Sequence, residues 1–283
     1  MIPNEFTYEK ADSLIRAIEI LKNDDDAKFL AGGHSLIPLM KMRLTSPSKL
    51  VDISSLSELR GVRVDGRKVV IGALTTHYEI ASSSVIKTHL NALAEAAGQV
   101  GDLQVRNRGT IGGNLAHADP ASDLPATALA FDAELNVLGP DGAETFSAED
   151  FFIGPLLTAL PPGSLIQSVS FRIPPDGTKS AYVKYPHPAS GYAVVGVAAV
   201  VGTDKNSVVN YVRIAITGAG DTAFRARAVE QGLSGKRLTE SAINEACQYA
   251  ADDGMIAEDL FASAEYRNHL CTVYTARVLK RLM

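Results

Sequence analysis

Two short stretches of the chain place paired glycines between an apolar residue and a polar one. The first is Ala31-Gly32-Gly33-His34-Ser35-Leu36; the second is Thr110-Ile111-Gly112-Gly113-Asn114. Glycine reaches positive φ without penalty and lets another group approach the backbone closely. Successive N–H groups in such a turn can converge on an anion. One pair alone is more commonly a tight turn without a ligand. Two pairs, well apart in sequence, can clamp one pyrophosphate from both sides. Neither stretch reads GxGxxG, and neither carries the Lys-Ser/Thr of a triphosphate loop. A Rossmann fingerprint and a P-loop are therefore excluded.

Other chemistry is sparse. His117, Asp119 and Asp123 could be metal ligands, but no second histidine is near and Pro120 breaks helical spacing. Loop capping and turn hydrogen bonds explain them better. No GxSxG setting supports a hydrolase. Arg106 and Arg108 read as a solvated turn that could face an anion or a partner. The two cysteines, Cys247 and Cys271, are too few for an iron–sulfur cluster, which takes four thiolates. They form no CxxC. Cys247 shares a helical face with Ile243, Ala246 and Ala250, and reads as a small buried apolar residue.

These residues need elements to hold them. Ala11, Leu14, Ile15, Ile18 and Leu21 predict a helix over 8–22, with Thr7 as its N-cap. Strands are predicted at 28–31 and 49–53, and a short helix at 36–43, which makes a small βαβ-like unit. Val62–Val64 and Lys68–Ile71 flank Asp65-Gly66, a hairpin signal. A helix marked by Leu90, Leu93, Ala94, Ala97 and Val100 precedes a glycine-rich polar loop from Gly101 to Asn114. A helix at 123–131 and strands at 134–138 and near 169–173 follow. Residues 173–180, IPPDGTKS, are the best linker candidate. Beyond it come a strand at 181–185, a hairpin-like pair at 193–203 and 208–217, and helices. The last helix is striped by Leu270, Val273, Tyr274, Val278 and Leu282. The division is 1–55, 56–175 and 178–283.

The 283 residues are enough for one or two domains with a real core. With 46% hydrophobic and 21% charged residues the chain reads as an ordinary globular protein. A net charge of −5 gives no basic footprint for nucleic acid. The most apolar run, Gly191–Gly202, is far shorter than the roughly 20 residues that span a bilayer. The first residues lack a signal-peptide pattern. A cytoplasmic protein with no membrane span is expected.

At this point the residues carry a family. AGGHSLIPLMKMRL, taken with RNRGTIGGNLAHADPASDLPATALAFDAEL, closely resembles the FAD-binding (medium) subunit of molybdenum hydroxylases, of the carbon monoxide dehydrogenase type and akin to the flavin part of xanthine dehydrogenases. ASGYAVVGVAA and AITGAGDTAFRARAVEQGL resemble the C-terminal domain of that subunit. The resemblance covers essentially the whole chain. It implies an α+β protein: a vanillyl-alcohol-oxidase-type (PCMH-type) FAD-binding fold in two α/β subdomains, then a small α+β domain of sheet and helices. It implies noncovalent FAD wrapped by Ala31, Gly32, Gly33, His34, Ser35 and Leu36 and by Thr110, Ile111, Gly112, Gly113 and Asn114. Asp123 matches a position that hydrogen-bonds the cofactor, and His117 falls near the flavin. Val100, Ile166 and Lys184 align with further contacts, and Tyr192 with an aromatic beside the isoalloxazine ring. On sequence alone Tyr192 reads as core packing. The chain departs from many relatives at Gly191, where they carry Asp, and from some at Asn114.

The resemblance further implies an electron-transfer subunit. An iron–sulfur small subunit with 2Fe–2S clusters would feed the FAD. A molybdopterin large subunit would hydroxylate the substrate, and an external acceptor would take the electrons. No catalytic residue or metal is expected in this chain. Two rival readings differ in class. One is a self-contained flavin oxidase, in which His34 is the candidate for covalent attachment. The other is an interaction module without flavin, which flavin absorbance distinguishes.

Overall fold

Thr7–Lys10 form a strand, β1, where the apolar spacing predicts the start of a helix. Residues 2–283 are described by the computed structural model. β1 is drawn into a sheet because Thr7 N–H donates to Ser48 O and Ala11 N–H to Asp52 O. The helix α1 begins later, at Leu14–Lys22, capped by the Ser13 hydroxyl rather than by Thr7. Pairing with a distant strand overrides the local pattern there. β2 (Lys28–Leu30), α2 (Leu36–Lys41) and β3 (Lys49–Asp52) follow. The three strands run parallel in the order β1-β3-β2, one strand more than the expected unit. α1 covers this sheet with Leu14, Ala17, Ile18 and Leu21, while Ile15 faces solvent.

The next sheet is antiparallel, in the order β4-β5-β10-β6-β7. Its members are β4 (Val62–Asp65), β5 (Lys68–Gly72), β6 (Glu134–Gly139), β7 (Gly142–Ser147) and β10 (Leu165–Arg172). Asp65 pairs with Lys68, so the hairpin turns on Gly66-Arg67, with Gly66 at φ 57°. Between β5 and β6 the chain crosses one face as α3 (His77–Ser82), α4 (Ser84–His89), α5 (Asn91–Gly98), α6 (Leu103–Arg108), α7 (Ile111–His117) and α8 (Leu124–Ala130). After β7 come α9 (Ala148–Phe151) and a small hairpin, β8 (Phe152–Gly154) with β9 (Leu157–Thr158). α3 and α4 escape the sequence pattern.

Residues 101–114 correct an expectation. They are not one loop: α6 is capped by Asp102, whose carboxylate accepts from Val105 N–H at 2.8 Å, and α7 by the Thr110 hydroxyl. Glycine and asparagine are poor helix formers, so caps and packing make these turns, not propensity. Arg106 is no free surface charge. Its guanidinium donates to Val100 O at 3.1 Å and Gly101 O at 2.8 Å.

The third sheet is β11 (Lys179–Pro186), β12 (Ala193–Thr203), β13 (Val209–Thr217) and β14 (Phe224–Arg225), all antiparallel. It explains the apolar run. Val195, Val197, Ala199 and Val201 pack under α10 (Arg227–Leu233), α11 (Glu240–Ala246) and α12 (Ala264–Arg281). Ala198 and Val200 on the other face join the core around α5 and α8. A strand buried on both faces cannot alternate. Cys247 and Cys271 are buried in this last core, and burial pushes both thiols up to about 12, so neither is nucleophilic. Among the described residues no helix is long and apolar enough to cross a membrane.

Candidate functional site

The two Gly-Gly stretches meet. Gly32 packs on Arg108 and Gly109, so close that a Cβ there would collide with the Arg108 carbonyl. Gly112 packs on Ala73, whose Cβ would lie 2.5 Å from an added Cβ. At these two positions glycine lets chain approach chain. Gly33 serves differently: at φ 75° it turns β2 into α2, a conformation that side chains resist. Gly113 faces open space, apart from the Thr110 hydroxyl.

Between the stretches lies a cleft of about 370 Å³, within the usual range of small-molecule sites. Its walls include Ala31 to Leu36, Thr110, Gly112, Gly113, Asn114, His117, Val100, Ile166 and Tyr192. Three expected residues stand behind the wall. Ile111 is fully buried in the core. Asp123 and Lys184 are enclosed and bonded to each other.

The stretches offer different groups. Among the described residues, the N–H groups of Gly33, His34 and Ser35 make no hydrogen bond within the chain. In the second stretch the N–H groups from Ile111 to Asn114 are all used. Ile111 donates to Thr75 O, Gly112 to Ala73 O, Gly113 to the Thr110 hydroxyl and Asn114 to Thr110 O. The image of two matching anion loops is thereby corrected. The first contributes free N–H donors; the second contributes a glycine surface and the Asn114 side chain. Asn114 Oδ1 accepts from Ser122 Oγ at 2.8 Å, which turns the amide nitrogen into its remaining donor. His34 Nδ1 lies 3.1 Å from Gly32 O, and since a carbonyl can only accept, Nδ1 donates to it.

Tyr192 is not core. It is 47% exposed and lies on the cleft wall, after Gly191 at φ 74°. Its hydroxyl pKa is raised by burial and by Asp119 and Asp123, so the ring stays neutral at physiological pH. His77 was not foreseen. It lines the cleft, buried against Gly109, and its Nδ1 has no partner. Burial, helped by His34 and Arg106, lowers its pKa to about 4. No spacing in the sequence marks it, since only a tertiary contact brings it there. Asp119 spends Oδ1 on Ala121 N–H, and among the described residues no three metal-ligating side chains gather.

The family described as "FAD binding domain in molybdopterin dehydrogenase" matches residues 4–175, and "CO dehydrogenase flavoprotein C-terminal domain" matches residues 180–282. The chain belongs to the molybdopterin dehydrogenase flavoproteins. This flavoprotein is 39% identical to the carbon monoxide dehydrogenase medium chain of Hydrogenophaga pseudoflava, over 100% of this chain and 97% of that one. It is 35% identical to the glyceraldehyde dehydrogenase medium chain of Sulfolobus acidocaldarius, over the whole of both. Its structure superposes on the carbon monoxide dehydrogenase of H. pseudoflava with a TM-score of 0.95 at 39% identity, covering 100% of this chain and 98% of that one. Quinoline 2-oxidoreductase from Pseudomonas putida 86 gives 0.94 at 30% identity, covering 100% and 98%. The fold expected of an FAD-binding medium subunit is the fold found, and the cofactor of this flavoprotein's N-terminal part is FAD.

Proposed function

We propose that this chain is the flavin subunit of a hetero-oligomeric molybdenum hydroxylase. It holds one FAD noncovalently and relays electrons from an iron–sulfur small subunit to an external acceptor, while a molybdopterin large subunit carries the hydroxylation. Relatives in the family are medium chains or FAD-binding subunits of dehydrogenases, which supports a role as one part of a larger enzyme. The division of labour proposed is FAD binding by residues 1–55 and 56–175, with 178–283 as a distinct C-terminal domain. A cytoplasmic location is proposed with it.

The observation that carries the reading is the convergence of both Gly-Gly stretches on one cleft. The residues present suit a dinucleotide. Gly33, His34 and Ser35 offer unpaired N–H groups to a diphosphate, and Gly113 leaves the opposite side open. Tyr192 offers an aromatic surface, and Val100 and Ile166 an apolar wall. Bound FAD supplies the chemistry of accepting electrons and passing them on. The chain's own residues bind it, orient it and keep water from part of it. The enclosed Asp123 and Lys184 are proposed to support the site from behind.

The test is turnover by the purified chain alone. It is expected to be reduced by a chemical reductant such as dithionite, with bleaching of the flavin bands. It is expected to oxidise or hydroxylate no organic substrate in the absence of molybdenum. Steady turnover by the lone chain would replace this reading with a self-contained oxidase.

A further inference from the structure

Lys184 sits on β11 with its side chain 5% exposed. An ammonium has three protons to give. Lys184 Nζ gives them to Asp123 Oδ2 at 3.0 Å, Gln99 O at 2.9 Å and Gly191 O at 2.8 Å. None is left for a ligand. Two of the acceptors are backbone carbonyls that each precede a cleft residue, Val100 and Tyr192. The segment 187–192 is otherwise a tight loop, closed by His187 N–H to Tyr192 O at 2.7 Å and Gly191 N–H to His187 O at 2.8 Å. Its tip is exposed, and the peptide that leads into Tyr192 is held at its carbonyl by the ammonium at 2.8 Å and at its N–H only by a long 3.4 Å bond to the exposed Ser190 hydroxyl.

We propose that Lys184 is a positioning residue: by holding the Gly191 carbonyl, it sets Tyr192 against the cleft where the flavin binds. The role rests on the FAD reading above. It also accounts for Gly191, which takes φ 74° to turn its carbonyl inward, a conformation that glycine enters freely and Asp more readily than most residues. Asp123 holds the ammonium in place. It accepts from Tyr182 Oη at 2.5 Å on its other oxygen, and so ties the arrangement to the core.

The experiment is a double-mutant cycle on FAD affinity, measured by titrating the flavin-stripped full chain with FAD. Lys184→Met alone would strand a buried carboxylate, so it is combined with Asp123→Asn to remove both charges together. The pair variant is expected to melt with the wild type and to bind FAD about two- to tenfold more weakly, the range of an aromatic contact. Tyr192→Ala is expected to lose the same factor. The triple variant is expected to lose no more, since both changes remove one contact. Wild-type affinity in the pair variant would overturn the proposal, as would losses that multiply in the triple variant, because Lys184 would then act independently of Tyr192. A wild-type chain with no FAD affinity would overturn the cofactor reading itself.

Discussion

Lys184 Nζ and Asp123 Oδ2 lie 3.0 Å apart, both side chains 5% exposed, and join β11 to the residue that precedes α8. Burial raises the Asp123 pKa, and Lys184 and Tyr182 oppose it. The pair is therefore worth little against a neutral replacement, yet costly to break. Asp123→Ala or Lys184→Met alone is expected to destabilise by about 3–5 kcal/mol, and the Asn/Met pair to come close to wild type. Denaturant unfolding of the three variants checks this. Equal losses in all three would show that the charges themselves stabilise the fold.

His77 gives the chain a pH signature. An unfolded histidine titrates near 6.5, and His77 in the folded chain near 4. Between those values the unfolded chain takes up a proton that the folded chain refuses. Stability is thus expected to fall as pH drops from 6.5 to 4, by about 3 kcal/mol from this group. His77→Gln should flatten that part of the profile. An unchanged slope would mean that His77 takes up its proton as readily in the fold as in the unfolded chain.

The glycines separate by role. Gly112→Val is expected to cost the fold itself, because its Cβ would strike Ala73. Gly33→Val is expected to leave a folded chain with weakened FAD binding, since the strain is confined to the turn at φ 75°. Circular dichroism and FAD titration side by side distinguish the two. A Gly112→Val chain with wild-type melting would contradict the packing described here.

The cleft was legible in the sequence as two paired glycines, since a short local motif suffices to require them. What each glycine does was not. Gly32 and Gly112 turn out to face backbone, and the N–H groups after Gly112 are spent inside α7, which depends on caps that tertiary packing selects. β12 announced itself as an apolar run, yet only the helices on one side and α5 and α8 on the other explain why it never alternates. β1 was hidden because its partner, β3, lies about forty residues away in a pattern that also suits a helix. Asp123 and Lys184, 61 residues apart, carried no mutual signal. FAD came from the family resemblance alone.

Tyr192 is expected to tune the flavin rather than to create its chemistry. An aromatic contact contributes roughly 0.5–1.5 kcal/mol beyond area burial, and only its difference between redox states moves the potential. Tyr192→Ala is therefore expected to shift the potential by no more than about 30 mV for a two-electron couple. Tyr192→Phe should shift it little, because the hydroxyl stays neutral. A redox titration of both variants, with the flavin spectrum, reads this directly. A shift well above that range in the Phe variant would make the hydroxyl, not the ring, the contact that matters.

The most direct measurement is the flavin content of the purified full chain, reconstituted with FAD, washed, and precipitated with acid. One FAD per chain, released entirely into the supernatant, is the predicted result. Colour kept in the pellet would show a covalent bond, with His34 the residue to sequence first. A chain that takes up no FAD at all would contradict the account.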